Sequence, residues 1–366
     1  MMRTRDRAIC AATLLFCAAT SPAAAQDQTL QTTLDSLRRA IGARGATAAV
    51  IFPDGRVWTG ASGEAWAGRA ATPATLFELG SITKTYSAAL ILRLAIAGRL
   101  TLDDTLARFL PDFPNARGVT LRQLLNHTSG IFNVTEDARY IPALIQNPAR
   151  RWTAEDQFQF VGAPTFAPGT GWRYSNTGYL LLGLVAQQVG GANVVTLIRR
   201  ELLTPLGLSH TFFEPDDTVS TEKAHAFVDV NKDGTAEDLS ALIPRTAFIT
   251  AAWTAGAITA TAENAARWMR ALHEGPLLDQ RSRAEMQTTV KRPDGNRHGL
   301  GLLIIGEGPT MLSGHLGNSA GFSAAAFHAP ALGITVALLT NADAIAMREP
   351  ARALFSAVRS SSNTRN

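Results

Sequence analysis

The sequence predicts an α/β (α+β) fold: one antiparallel β-sheet flanked by helices, with a helical lobe inserted into it. Three observations predict it. A helix and a hairpin open the chain, a long middle stretch carries helical apolar spacing broken by Pro and Gly, and the C-terminal part returns to short strands and a last helix. Two lobes with a cleft between them follow, and ligands favour clefts of that kind. With 366 residues, 46% of them hydrophobic, the chain is long enough to bury a large core.

Residues 1–25 read as a secretory signal: Arg3, Arg5 and Arg7, an apolar run from Ala8 to Ala19, then Ala23-Ala24-Ala25 as a cleavage site. The expected mature protein begins near Gln26 and works in a periplasm or outside the cell. The formal net charge of +4 drops to +2 without those residues, since three arginines there outweigh Asp6. Nothing in that balance calls for nucleic acid. Both cysteines, Cys10 and Cys17, lie in the signal, which excludes a cysteine nucleophile or a thiolate metal site from the mature chain. No later stretch has the roughly 18 to 20 apolar residues of a transmembrane helix.

Next, Leu30, Leu34, Leu37 and Ile41 mark a surface helix over Thr29 to Arg44. Ala46 to Phe52 and Arg56 to Ser62 read as a hairpin turned at Pro53-Asp54-Gly55. The stretch from about 76 to 272 forms the helical lobe, interrupted at Pro111 to Pro114, Pro164 to Gly171 and Pro205-Leu206-Gly207. Its Asp229 to Asp233 segment followed by Gly234 hints at a calcium loop but lacks the closing Glu, so a solvated turn is the better reading. Gly299 to Ile305, Thr310 to His315, Phe322 to His328 and Ile334 to Thr340 are the expected strands, and Ala344 to Val358 the last helix. The α/β lobe then comprises about 26–75 and 273–366.

Three segments carry chemistry. In the first, Leu79-Gly80-Ser81-Ile82-Thr83-Lys84 leads into an apolar run, which puts Ser81 near a helix start and Lys84 one turn on, on the same face. A serine hydroxyl needs a neighbour to take its proton, and a lysine whose pKa is lowered by burial can do so. Alone the pair also fits a helix cap with a solvated lysine. The chain has only four lysines against thirty arginines, however, and arginine cannot serve as a base. In the second, Pro168 to Asn176 turns into a helix and offers Tyr174, a phenol able to shuttle protons beside an ammonium, and Asn176, an amide able to donate to a substrate carbonyl. The alternative there is a packing aromatic followed by a helix cap. In the third, Ser313-Gly314-His315-Leu316-Gly317-Asn318-Ser319-Ala320-Gly321 ends a strand, and glycines such as Gly317 let a substrate approach the backbone, where the Asn318 N–H is a second oxyanion donor. A Gly-rich turn with a satisfied histidine is the plain alternative.

Together, in this order, the three segments resemble the serine β-lactamase and D-alanyl-D-alanine carboxypeptidase superfamily, whose motif trio is known in related form. The likeness extends over nearly the whole mature chain, with Leu124 to Gly130, Tyr179 to Gly183 and Thr204 to Leu208 similar to the class C and carboxypeptidase branch. The resemblance implies a β-lactamase/transpeptidase-like fold and an acyl-enzyme on Ser81. It implies shared base and acid duties for Lys84 and Tyr174, an orienting role for Asn176, His315 in the place of a lysine or histidine, and an oxyanion hole from the N–H groups of Ser81 and Asn318. It implies a small-molecule or peptide acyl substrate and neither metal nor organic cofactor; it leaves the oligomeric state open. Two departures stand out: Leu316 replaces the hydroxyl, and Leu303 the Arg, that hold a substrate carboxylate in carboxypeptidases of this branch. Arg297 or His298 are the residues available to compensate. Losing such partners weakens carboxylate recognition by roughly 1.5 to 3 kcal/mol. The expected activity is therefore a carboxypeptidase-type or β-lactamase-type hydrolysis. Ester hydrolysis, D-amino-acid amidase or aminopeptidase activity, or a penicillin-binding sensor that does not turn over, are the alternatives.

Two rival sites are weaker. Gly317 to Gly321 matches a nucleophile elbow centred on Ser319, but a strand is expected after it where that elbow needs a helix. A metalloenzyme lacks support because the seven histidines are scattered; His127 and His210 read as structural.

Overall fold

The computed structural model describes residues 21–219 and 222–363. The signal and both cysteines lie almost wholly outside them. The first helix, Pro22–Ala40, starts and ends earlier than apolar spacing predicts, because the Ser21 hydroxyl caps it by accepting from the Ala24 N–H at 3.2 Å.

Nine strands form the main sheet, in the order Arg69–Ala70, Val57–Trp66, Gly45–Ile51, Ile334–Thr340, Phe322–Ala329, Leu312–Ser319, Leu303–Ile305, Arg297–His298, Val290–Lys291. Every neighbouring pair is antiparallel. The first hairpin and the C-terminal strands therefore join in one sheet through the Gly45–Ile51 and Ile334–Thr340 pairing, with Ala48 opposite Leu338. Central strands read as unbroken apolar runs because both faces are covered. Ala46, Ala48 and Val50 face the helices Pro22–Ala40 and Arg348–Asn363, in one apolar cluster with Leu338 and Leu354. Ala49 and Ile51 belong to a second, larger cluster on the opposite face, shared with helices Thr83–Ile96, Asn176–Gly190 and Ala262–Glu274. That helix, Ala262–Glu274, comes from the helix-rich middle of the sequence yet lies across the sheet.

The middle region is less purely helical than its spacing predicts. Phe77–Glu78 and Thr211–Phe213 pair on either side of Ile258–Ala260, and Phe227–Val228 pairs with Glu237–Asp238. Strands of two or three residues are too short for alternation to reveal. In the acidic segment, both carboxylate oxygens of Asp229 accept backbone bonds, from Asp233 N–H at 3.0 Å and Gly234 N–H at 2.9 Å, the self-satisfied turn of the better reading. Among the described residues no single helix is long and apolar enough to cross a membrane. One bent pair, Asn176–Gly190 with Val194–Leu203, passes by length and composition, and its first helix is packed in the core.

Candidate active site

Ser81 lies in a 3₁₀ turn, Gly80–Ile82, and Lys84 in the first turn of the helix Thr83–Ile96 that follows. That geometry sets the Lys84 Nζ 3.1 Å from the Ser81 Oγ. Lys84 is fully buried, and among the described residues no carboxylate hydrogen-bonds it. Its other contacts are the Asn176 Oδ1 and the Ala255 carbonyl, each at 2.7 Å. Burial pushes the ammonium well below the ordinary lysine range. A neutral amine has two N–H bonds and one lone pair. Two fixed acceptors hold the N–H bonds, which leaves the lone pair toward Ser81.

The Ala255 carbonyl is available because its helix, Thr246–Gly256, breaks at Trp253 (φ 35°, ψ −125°) and ends one residue later than Ala255. Carbonyls in a helix's last turn have no intrahelical donor. Asn176 opens its own helix, Asn176–Gly190, with the Ser175 hydroxyl as N-cap. Its Nδ2 donates to the Asn133 Oδ1 at 3.3 Å and the Thr135 Oγ1 at 3.4 Å. Both ends of the amide are thus held by the protein.

Tyr174 reaches the same place from the preceding turn. Lys84 Nζ sits 4.9 Å from its ring centroid. The phenol hydroxyl is enclosed and makes no hydrogen bond of good geometry. Burial pushes its pKa well up, opposed only in part by the nearby Ser81 hydroxyl and the Arg292 charge. Burial therefore favours the neutral phenol over its ionised form. Behind it, His127 holds a left-handed backbone (φ 64°), packs with its ring tilted 36° at 4.4 Å from the Tyr174 ring and accepts from the Ser175 N–H at 3.2 Å.

His315 faces this group, with its ring centroid 6.5 Å from that of Tyr174. Its Nδ1 is tied to the Leu316 carbonyl, so Nε2 is the bare acceptor, buried and unpartnered. Burial lowers its pKa to about 3, against the pull of that carbonyl and with help from Lys84 and Arg292. His298 packs 5.9 Å from His315 and 4.7 Å from His127, fully buried with both ring nitrogens unpartnered, and burial keeps it neutral too.

Gly317 and Asn318 cross the Gly80–Ile82 turn at backbone distance. A Cβ on Gly317 would stand 1.9 Å from the Leu79 carbonyl and 3.4 Å from the Ser81 nitrogen, and one on Gly80 (φ 50°) would meet the Asn318 carbonyl at 2.5 Å. Only glycine permits this crossing, which sets the Ser81 and Asn318 peptides side by side. Glu78 ties the same two segments together. Buried and 5% exposed, it is gripped by Arg245 at 2.9 and 2.8 Å and by Lys223 at 3.1 Å, and it accepts from the Ser319 hydroxyl. Ser319 is followed by the strand Phe322–Ala329, not by a helix, so the elbow reading fails on its own terms.

The two apolar departures sit on the other face of the sheet. Leu303 is buried in the cluster under helices Pro22–Ala40 and Arg348–Asn363, and Leu316 packs against it. Arg297 turns to the Gly306 carbonyl at 3.2 Å. The cation that does approach the site is Arg292, stacked 4.6 Å over Trp172 and paired with Asp294 at 3.0 Å. Sequence reasoning passed over it, as it did Glu78 and the Ala255 carbonyl.

The family profile described as Beta-lactamase matches residues 30–358. The chain belongs to the Beta-lactamase family. Its serine-hydrolase relatives include a D-stereospecific amidohydrolase from Streptomyces sp., 30% identical with a TM-score of 0.77, the match covering 87% of this chain and 94% of that one. D-amino acid amidase from Ochrobactrum anthropi SV3 superposes with a TM-score of 0.81 at 25% identity, over 93% of this chain and 100% of the amidase. Penicillin-binding protein 4* of Bacillus subtilis is 36% identical over 143 residues, which is 37% of this chain. The match spans only 30% of that relative's own length. The family membership bears out the expected fold class and the hydrolase assignment.

Proposed function

We propose that this member of the family is an exported serine hydrolase that opens an amide or ester bond through an acyl-enzyme on Ser81. The observation that carries the reading is Lys84: a buried amine with two neutral acceptors on its N–H bonds and the nucleophile at 3.1 Å. Ser81 Oγ attacks the carbonyl carbon as its proton passes to Lys84 Nζ. The carbonyl oxygen becomes an oxyanion facing the N–H groups of Ser81 and Asn318. The bond to the leaving group breaks when that atom takes a proton from Tyr174, which Lys84 replenishes. Water then cleaves the ester on Ser81 by the same proton route, releasing the acid. Asn176 fixes the lysine through its Oδ1, and its Nδ2, the group that would donate to substrate, is directed to Asn133 and Thr135. Export rests on the Arg-rich start and apolar run of residues 1–25.

Nitrocefin, a short-chain p-nitrophenyl ester and a D-Ala-D-Ala peptide assayed on one preparation, with intact-mass detection of the acyl adduct, test the reading. Ser81→Ala is expected to remove the adduct and lower turnover by about 10³-fold or more. Retained activity in that variant refutes it. An adduct that forms once and stays marks a penicillin-binding sensor.

A further inference from the structure

A cavity of about 300 Å³ opens beside Ser81. Its walls are Val134, Ile141, Leu144, Leu180, Phe248 and the alanines of the Thr246–Gly256 helix, with Ser81, Asn176 and Asn318 at its inner end. Lys84, Tyr174 and His315 are not among its lining residues. A leaving group must lie against the proton donor that frees it. None of the three side chains assigned to handle the proton lines the cavity, so the cavity is assigned to the part of the substrate that stays bonded to the serine.

Its polarity then selects that part. No charged side chain lines it. Most acceptors in its wall are already used inside the protein, the Asn318 Oδ1 by the Ser323 hydroxyl at 3.0 Å among them. Tyr140 donates to the Gln157 Oε1 at 2.7 Å, and the Gln157 Nε2 donates to the Thr153 carbonyl at 3.1 Å. Thr135 accepts from Asn176, and the Ser319 hydroxyl goes to Glu78. Carboxylates close to lining residues along the chain are committed as well: Glu78 to Arg245 and Lys223, Glu136 to Arg173 at 2.6 Å, and Asp156 to Arg150 at 3.0 Å. An ammonium placed here would lose its water and find no anion. Methylenes or an aromatic ring would gain contact with apolar side chains.

We infer that the acyl half of the substrate is an uncharged, apolar group of aliphatic or arylalkyl type, and that a free α-amino acid amide is a poor substrate. This rests on the acyl-enzyme reading above and narrows it. It also sets this chain apart from its structural neighbour, the D-amino acid amidase of Ochrobactrum anthropi SV3.

A matched pair decides the matter: the p-nitroanilides of 3-phenylpropanoic acid and of D-phenylalanine, which differ only by the α-ammonium. The neutral compound is expected to have at least a tenfold higher kcat/KM at pH 7. The amino compound should gain on it as the pH rises past the ordinary α-amino pKa of about 8. In p-nitrophenyl esters from acetate to hexanoate, kcat/KM should climb roughly fourfold per methylene, the equivalent of about 0.8 kcal/mol. Ile141, 45% exposed at the cavity mouth, tolerates a polar side chain without loss of the fold. Ile141→Asp should therefore narrow the gap between the two anilides at least threefold, and a melting curve like that of the wild type excludes misfolding. A preference for D-phenylalanine p-nitroanilide, or a flat ester series, overturns the pocket assignment while a Ser81 adduct still forms. Absence of an adduct from every compound overturns the acyl-enzyme reading and this one with it.

Discussion

Glu78→Gln tests whether the buried carboxylate holds the two halves of the site together. Burial alone would raise the Glu78 pKa, yet the charges of Arg245 and Lys223, with hydrogen bonds from Arg245 and Ser319, bring it from the ordinary 4.5 down to about 2. At 1.36 kcal/mol per pKa unit, that difference corresponds to about 3 kcal/mol of folding free energy at neutral pH. The sign follows from the lowered value. The contribution is complete above pH 4.5, falls to about half near pH 3, and is gone below pH 2. Glutamine keeps the shape and removes the charge, leaving Arg245 at 8% side-chain exposure without its anion. Thermal melts of wild type and variant at pH 7 should differ by about 6 °C or more, at roughly 2 °C per kcal/mol in a chain of this size. The gap should shrink by about half when both are measured near pH 3, because the other carboxylates are common to both proteins and cancel. A melting point unchanged at pH 7, or a gap that stays constant from pH 7 to pH 3, refutes the reasoning.

Lys84→Arg should cost about 10³-fold or more in kcat on any substrate turned over, since a guanidinium keeps the charge but cannot take a proton; a mild loss in a steady-state assay would shift the base role to Tyr174. The acidic limb of the pH–rate profile should belong to Lys84, whose lowered pKa means that activity fades as falling pH protonates the amine. His315, neutral down to about pH 3, does not titrate in that range. His315→Gln should therefore leave the midpoint of that limb in place, and a shifted midpoint in the variant's profile would contradict this. Gly317→Ala should lower kcat by about 10²-fold with KM little changed, because its Cβ would meet the Leu79 carbonyl at 1.9 Å and push the Asn318 amide off the nucleophile. Steady-state kinetics with an unaltered kcat would show that the strand crossing is not needed.

Phe322–Ala329 and Ile334–Thr340 were legible because both their faces are covered, so they read as plain apolar runs whose ends lie within a residue of expectation. The strand at the site, Leu312–Ser319, instead runs four residues past the expected end at His315, because its last residues, Gly317, Asn318 and Ser319, are Gly and polar. Ser81 and Lys84 were legible as a pair because three residues make one helical turn whatever the surroundings. Tyr174, Asn176 and His315 needed the resemblance, since nothing local ties segments so far apart in the chain. The rest had no side-chain signature to find. The Ala255 carbonyl belongs to a residue with no polar side chain and lies just past a backbone break at Trp253 that side-chain patterning does not signal. Glu78 reads as one acid among many until Arg245, 167 positions away, closes on it. Phe77–Glu78 and Ile258–Ala260 form strands only because each finds the other.

The broken helix Thr246–Gly256 has two jobs on one backbone. Ala251 and Ala252 line the cavity, and the Ala255 carbonyl holds the Lys84 amine to which the proposed mechanism gives the Ser81 proton. Variation along it that admits a larger acyl group also shifts the base, so selectivity and rate are coupled on that side. The wall formed by Ile141 and Leu144 has no such tie to Lys84. Divergence in substrate range is therefore freest at the Tyr140–Gln146 helix, where a new side chain alters what fits and leaves the chemistry undisturbed.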